Sequence, residues 1–207
     1  KDGQVLAYIG FWLMEAQRQA ELMYTMHSSA LSLDNNGVLL LGHSGSGKTS
    51  VSRQLRDIGK EAHDIEDTEG MFKMFRKGTR EIFDDYDNAD PEKIKNSEWI
   101  CDVDMLKKVL NDQKSDIAFY CGVASNMDDL IPLFDKMIVL RANPETVHKR
   151  LSNREGTEDI GNTEESRQTV LGWKDWWEDE MSDRGGVFVD ANGSSADIAE
   201  KILQICG

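Results

Sequence analysis

Residues 38–49 read VLLLGHSGSGKT, an apolar run followed by a complete G-x-x-x-x-G-K-[ST] pattern at residues 42–49. The apolar run predicts a buried strand. Val51, Leu55 and Ile58 then follow at the i, i+4, i+7 spacing of an amphipathic helix. Because a strand, a glycine-rich loop and a helix succeed one another, the pattern predicts a phosphate-binding loop.

The residue types of this loop suit a polyphosphate. Its glycines let backbone N–H groups turn towards a phosphate, and the N-terminus of the following helix adds its positive dipole. Lys48 is expected to reach the β- and γ-phosphates, and the Thr49 hydroxyl to ligate the Mg²⁺ that bridges them. The loop residues predicted to bind the nucleotide are Gly42, Ser44, Gly45, Ser46, Gly47, Lys48, Thr49 and Ser50.

Length and charge bound the remaining possibilities. The 207 residues predict one domain at 37–207 with an appended helical or extended segment at 1–36. Residues 5–26 of that segment are a candidate contact for a second copy or a partner. The net charge of −14 opposes binding to nucleic acid. Three scattered cysteines and an apolar stretch at 5–14 too short to span a bilayer predict a cytoplasmic protein without membrane contact.

Apolar strands and amphipathic helices alternate along the rest of the chain. Further strands are predicted at residues 62–65, 117–121, 137–140 and 187–189. Asp102 and Asn143 are predicted to cap two of the intervening helices. Such alternation predicts an α/β fold in which helices cover both faces of a parallel, mainly five-stranded sheet.

Two conspicuous groups are assigned to packing. Trp173, Trp176 and Trp177 fall at i, i+3 and i+4, and an aromatic stripe at helical spacing is typical of a core. Cys121, at the end of a predicted strand, is expected to be a small packed residue and not a nucleophile. Gly122 follows it and would let a substrate approach the backbone.

An acidic pair follows the second predicted strand. Ligands of open parallel sheets bind beyond the carboxyl ends of the strands, and Asp64 and Glu66 are placed there. Two residues apart, they point the same way from an extended segment. Asp64 is predicted to hold Mg²⁺ and Glu66 to take a proton from an attacking hydroxyl. The alternative is an ordinary acidic surface loop.

Arginines follow the fourth predicted strand at positions 141, 150, 154 and 167. In so acidic a chain, this cluster would supply the positive charge that phosphoryl transfer requires over the γ-phosphate. Residues 152–167 are highly charged with few apolar side chains, so they are predicted to form a mobile lid that carries Arg154.

These motifs together resemble the small P-loop kinases. The phosphate loop, D-I-E at 64–66, C-G at 121–122 and R-L-S-N-R at 150–154 are similar to the shikimate-kinase-like and gluconate-kinase-like members of the nucleotide-kinase group. The resemblance covers about residues 37–205. It implies the three-layer sandwich of P-loop NTPases, ATP with Mg²⁺, and a small-molecule phosphate acceptor such as a sugar, sugar acid, nucleoside or nucleotide.

The resemblance also implies roles for single residues. Asp64 and Glu66 would match the two acids of the family's D-x-D element, with Glu in place of the second Asp. Arg154 would fall in the lid, and Asn192 in the stretch that lies beside adenine. The predicted catalytic residues are Lys48, Asp64, Glu66 and Arg154.

The acceptor and the class of protein leave alternatives open. The family's usual arginine pattern for acceptor binding is missing, so Arg76 and Arg80 are only candidates, and activity on shikimate is doubtful. Residues 26–49 also resemble HPr-kinase-like protein serine kinases, with His27 upstream and a hairpin strand at 29–33. A third interpretation is a regulatory module in which ATP orders a segment that a partner recognises.

Overall fold

The computed structural model describes residues 36–153 and 160–207. Four sequence-based assignments lie outside the described residues: the N-terminal segment up to residue 35, its contact surface at 5–26, His27 with the hairpin strand at 29–33, and Arg154 of the predicted lid.

Strands and α-helices alternate through the described part of the chain. The strands are β1 (Asn36–Gly42), β2 (Glu61–Asp64), β3 (Phe72–Arg76), β4 (Ser97–Cys101), β5 (Ile117–Cys121), β6 (Lys136–Arg141) and β7 (Val187–Asp190). The helices are α1 (Lys48–Asp57), α2 (Pro91–Lys95), α3 (Val103–Asn111), α4 (Met127–Leu130), α5 (Pro144–Ser152), α6 (Glu164–Asp183) and α7 (Ser195–Cys206). Short 3₁₀ turns occupy Ile65–Asp67 and Ile131–Leu133.

The main sheet confirms the predicted fold class. Its five strands are all parallel in the order β2-β5-β1-β6-β7. Leu40, in the central strand β1, lies opposite Cys121 of β5 and Ile138 of β6. Both edges of β1 are therefore paired. No edge of β1 remains for the antiparallel partner that the HPr-kinase-like interpretation requires.

Both faces of the sheet are buried, which explains the continuous apolar run of β1. Val38 and Leu40 belong to one core cluster, and Leu39 and Leu41 to another. Successive side chains of a strand point to opposite faces, so each cluster receives every second residue. None of the described helices has the length and apolarity needed to cross a bilayer.

The two predicted helix caps are confirmed. The Asp102 carboxylate accepts hydrogen bonds from the backbone N–H groups of Asp104 and Met105, each at 3.0 Å, at the start of α3. Asn143 accepts the Thr146 N–H at 2.7 Å at the start of α5. Side-chain oxygens thus satisfy N–H groups that have no partner within the helix.

A two-stranded antiparallel sheet, β3 paired with β4, is inserted between β2 and α3. The sequence did not predict it. Its strands, FKMFR and SEWIC, mix charged and apolar residues, and most of their side chains are only partly buried or exposed. Ser125 and Asn126 fasten it to the end of β5 through hydrogen bonds with Trp99 and Cys101.

The assignment of the tryptophan stripe to the core is wrong for two of its three members. Trp173 is 37% exposed and Trp176 63% exposed. Helix α6 buries a different stripe, at three- and four-residue spacing, that includes two charged residues and a serine. Its members are Ser166, Val170, Lys174, Glu178 and Met181.

Candidate active site

The phosphate loop joins β1 to α1 at the carboxyl edge of the sheet. Gly47, directly before α1, has φ of 101°, a left-handed conformation that a side chain would strain. No side chain caps α1. Its first backbone N–H groups are therefore available to an anion, as the helix dipole favours.

The structure brings Lys48 and Glu66 together at this loop. The Lys48 Nζ donates a hydrogen bond to the Gly42 carbonyl at 2.7 Å and lies 3.8 Å from Glu66 Oε1. Lys48 begins α1, whereas Glu66 belongs to the 3₁₀ turn after β2. The ammonium group is thus folded over the loop with a carboxylate beside it, which is an arrangement able to bind phosphate and accept a proton.

The end of β5 orients Glu66. Its Oε1 accepts the backbone N–H of Val123 at 2.9 Å. Gly122 makes this approach possible, because a Cβ at that position would lie 2.5 Å from Ile65 Cγ1. Cys121 is fully buried, and burial above all raises the pKa of its thiol to about 12, in agreement with a packing role.

Asp64 offers an unused acceptor at the same edge. Its Oδ2 is buried and has no hydrogen-bond partner within the described protein. Asp64 and Thr49 both line the cleft beside the loop. A buried carboxylate oxygen and a hydroxyl suit a hard cation. Among residues 36–153 and 160–207, no group of three or more His, Cys, Asp or Glu could by itself hold a metal ion.

Arg150 is the arginine that contacts the phosphate loop. Its Nη1 donates to the Ser46 carbonyl at 2.8 Å, and its Nη2 donates to the Gly193 carbonyl at 3.2 Å. Arg150 therefore connects the loop to the segment after β7, which contains Asn192. The sequence placed Arg150 only within a cluster; its contact with Ser46, 104 residues away, depends on the tertiary fold.

The other described arginines of the cluster are engaged elsewhere. Arg141 Nε lies 2.9 Å from Glu178 Oε2, and its guanidinium stacks on the Phe188 ring. Arg167 donates to the Gly161 carbonyl at 2.9 Å. Asn192 is also held internally, since its Oδ1 accepts the Asn143 N–H at 2.9 Å. Contact of Asn192 with adenine stays a prediction.

His43 contributes no charge to the loop at neutral pH. Burial, above all, lowers the pKa of its imidazole to about 4, and the nearby charges of Lys48 and Lys174 add to the shift. The ring lies edge-on to Trp177, with centroids 6.2 Å apart. Among the described residues, Lys48 and Arg150 are the cations that bind carbonyls of the loop.

A buried ion cluster anchors α6 beside this site. The Lys174 Nζ lies 2.8 Å from Glu178 Oε1, and the Arg141 Nε lies 2.9 Å from Glu178 Oε2. Both Lys174 and Glu178 side chains are less than a tenth exposed. Glu178 thus neutralises two cations, one of them buried, and its loss leaves a desolvated charge.

This asymmetry predicts unequal costs of substitution. We expect Glu178→Leu to lower the free energy of unfolding by about 3 kcal/mol, because the buried Lys174 ammonium keeps only a long contact of 3.8 Å with the exposed Asp175 carboxylate. Lys174→Leu should cost clearly less, since Glu178 keeps Arg141. Urea denaturation of both variants measures the difference. Equal costs would contradict a central role for Glu178.

A cleft of about 1660 Å³ lies beside the phosphate loop. The phosphate loop, the acidic pair, the β3–β4 sheet and α6 all contribute to its walls. The predicted site residues that line it are Ser44, Gly45, Gly47, Lys48, Thr49, Ser50, Asp64 and Glu66. Gly42 and Ser46 are not in the lining, but their carbonyls accept hydrogen bonds from Lys48 and Arg150, respectively. The predicted acceptor residues Arg76 and Arg80 are not part of this lining.

Comparison with known proteins agrees with the architecture. A family model described as an AAA domain matches residues 38–171. A shikimate kinase from Acinetobacter baumannii with bound shikimate is similar in structure, with a TM-score of 0.52 and 20% identity over 83% of this chain and 93% of that one. A deoxyadenosine kinase from M. mycoides with bound dATP has a TM-score of 0.51 and 15% identity over 82% and 98%.

These similarities concern the fold. At such identities, the two structures support a common architecture and nothing finer about ligands. No curated protein matches the chain in sequence. The predicted likeness to small P-loop kinases of the nucleotide-kinase group is confirmed.

Proposed function

The chain belongs to the AAA domain family, and from that premise we propose that it is a kinase that transfers the γ-phosphate of ATP to a hydroxyl of a small molecule. The observation that carries the proposal is the meeting of Lys48 and Glu66, 3.8 Å apart, beside the phosphate loop. A cation for the transferring phosphate and a base for the attacking hydroxyl are the two groups that the reaction requires from the protein.

Binding of ATP uses groups at the end of β1. The backbone N–H groups of the loop and of the first turn of α1 receive the phosphates. Lys48 exchanges its contact with the Gly42 carbonyl for phosphate oxygens. Arg150, already at the Ser46 carbonyl, adds a second positive charge at the loop.

Mg²⁺ is the implied metal, and Thr49 and Asp64 would hold it. When bound, the metal neutralises charge on the phosphates. The buried Oδ2 of Asp64, which has no hydrogen-bond partner among the described residues, supports this assignment. The roles of Arg154 and Asn192 remain proposals from the sequence.

Glu66 acts on the acceptor. The Val123 N–H fixes one carboxylate oxygen, and the carboxylate takes the proton of the acceptor hydroxyl as its oxygen bonds to the γ-phosphorus. The bond between that phosphorus and the β–γ bridging oxygen breaks, and ADP leaves. Removal of water from the cleft by the acceptor limits simple hydrolysis of ATP.

Acceptor-dependent release of ADP tests the proposal. Purified protein with ATP and Mg²⁺ is incubated with single sugars, sugar acids and nucleosides, and ADP is measured by chromatography. We expect one class of acceptor to raise ADP release well above the acceptor-free rate. Nucleotide binding without any acceptor-dependent turnover would instead favour the regulatory module.

The metal assignment gives a separate prediction. We expect Asp64→Asn to weaken the apparent affinity for Mg²⁺ in the ATP reaction by about 10- to 100-fold, because an amide is a poorer ligand than a carboxylate. Titration of Mg²⁺ at fixed ATP measures this shift. Asp84→Asn, at an exposed acidic residue, is the matched control. An unchanged Mg²⁺ dependence in Asp64→Asn would remove Asp64 from the metal site.

A further inference from the structure

Four of the five tryptophans of the chain line the cleft. Trp173, Trp176 and Trp177 come from α6, and Trp99 from β4. Trp176 is 63% exposed although it lies in a concavity. Exposed aromatic surface inside a cleft is typical of a ligand site. The phosphate-transfer roles assigned above use none of these indole rings.

Trp99 is held in a fixed position. Phe72 stacks against its ring, with centroids 5.3 Å apart and planes 21° from parallel. The backbone N–H of Trp99 donates to Ser125 Oγ at 2.9 Å, and the backbone carbonyl of Trp99 accepts the Ser125 N–H at 2.7 Å. A ring so constrained loses little freedom when a ligand packs on it, which favours binding.

Trp99 and the proposed base share one support. Val123 donates its backbone N–H to Glu66. Ser125, two residues later, forms hydrogen bonds with both the backbone N–H and the backbone carbonyl of Trp99. Two residues of extended chain span at most about 7 Å. The backbone of Trp99 is therefore held within two residues of the backbone group that orients the proposed base. Trp177, in α6, lies edge-on to His43 of the phosphate loop.

The charges of the cleft argue against an acidic acceptor. Recognition of a carboxylate favours a bidentate arginine. The charges of the described lining residues balance, because five cations (Lys48, Lys77, Lys95, Arg150 and Arg184) are matched by five carboxylates (Asp64, Glu66, Asp67, Glu98 and Glu180). Arg150 binds carbonyls at the phosphate loop, and Arg184 pairs with Asp128 and Glu180.

We propose that the acceptor is an uncharged nucleoside-like molecule, a flat nitrogen heterocycle carrying a hydroxyl, whose ring stacks on Trp99 while the hydroxyl reaches Glu66. This inference rests on the proposed kinase function and specifies its acceptor. Stacking of a base on an aromatic side chain supplies affinity. Among the described lining residues, both arginines already have partners, so a sugar acid would lack a bidentate arginine. A sugar acid also has no flat ring to stack on Trp99.

Binding is tested without turnover by the indole N–H signals of the ¹⁵N-labelled protein. The probes are adenosine, guanosine, cytidine, uridine and thymidine, with gluconate, shikimate and ribose for comparison. The Trp99 signal is identified by its loss in Trp99→Phe. We expect at least one nucleoside to shift it, and we expect gluconate, shikimate and ribose to leave it in place.

Variants test the stacking. Trp99→Ala should weaken nucleoside binding about tenfold or more, and Trp99→Phe should retain most of it, because phenylalanine also stacks. Trp176→Ala, at an exposed position that folding does not require, should weaken binding several-fold if the α6 wall contacts the ring. The affinity for ATP should not change in the Trp99 variants, which also shows that they fold.

The outcomes separate the two proposals. Failure of every nucleoside to shift the Trp99 signal, or a shift caused by ATP alone, would overturn the inference. Phosphorylation of gluconate or shikimate would overturn it while leaving the kinase function intact. Nucleoside binding at Trp99 with no ATP-dependent phosphorylation would reject the kinase function, and with it the assignment of this ligand as an acceptor.

Discussion

Replacement of Lys48 with alanine is expected to reduce ATP turnover about 10³-fold or more. The ammonium is the positive charge at the start of α1, and the groups now beside it are the Gly42 carbonyl and Glu66. In the complex, we expect it to bind the transferring phosphate, where its charge matters more as negative charge develops. Single-turnover measurement of γ-phosphate transfer tests this result directly.

Stability distinguishes a catalytic from a structural role of Lys48. Its contact with Glu66 is long, and its hydrogen bond to Gly42 contributes about 1 kcal/mol. The melting temperature without nucleotide should therefore change little. Lys60→Ala, at an exposed lysine shortly after the same helix, is the matched control and should leave turnover intact. Normal turnover in Lys48→Ala would refute the proposed function.

Glu66→Gln is expected to slow phosphorylation of the acceptor by about 10²- to 10⁴-fold. The amide oxygen of glutamine can still accept the Val123 N–H, so the 3₁₀ turn should keep its position. What is lost is the ability to take the proton of the acceptor hydroxyl. The effect should appear in kcat, with the affinity for ATP and the Mg²⁺ requirement nearly unchanged.

Glu66→Gln and Asp64→Asn are expected to change different properties of the reaction. Asp64→Asn should alter the metal dependence, whereas Glu66→Gln should alter the step that involves the acceptor. Glu69→Gln, at an exposed glutamate of the same acidic stretch, serves as control. If Glu66→Gln and Glu69→Gln were both fully active, the acidic pair would be the surface loop considered as an alternative above.

The elements predicted well are those set by local interactions. The run before the phosphate loop is apolar throughout because both faces of β1 are buried, and this is visible in any window of sequence. The capping roles of Asp102 and Asn143 could be predicted because a capping side chain accepts hydrogen bonds from backbone N–H groups two or three residues later.

The errors and omissions concern contacts between distant residues. The tryptophans of α6 have the spacing of a core stripe, yet the helix buries Lys174 and Glu178, because Arg141 from β6 completes an ion cluster there. Arg150 reaches Ser46 only once β1 and α5 are adjacent. The β3–β4 sheet depends on Ser125 and Asn126, about 25 residues further along the chain.

The insertion of β3 and β4 between β2 and α3 has an evolutionary consequence. Residues 72–101 carry the Trp99 side of the cleft, while the phosphate loop, Asp64 and Glu66 all precede them in the chain. Hydrogen bonds from Ser125 and Asn126 join this insertion to the end of β5. Exchange of this stretch between related proteins would therefore alter the Trp99 side of the cleft while leaving the phosphate loop, Asp64 and Glu66 in place.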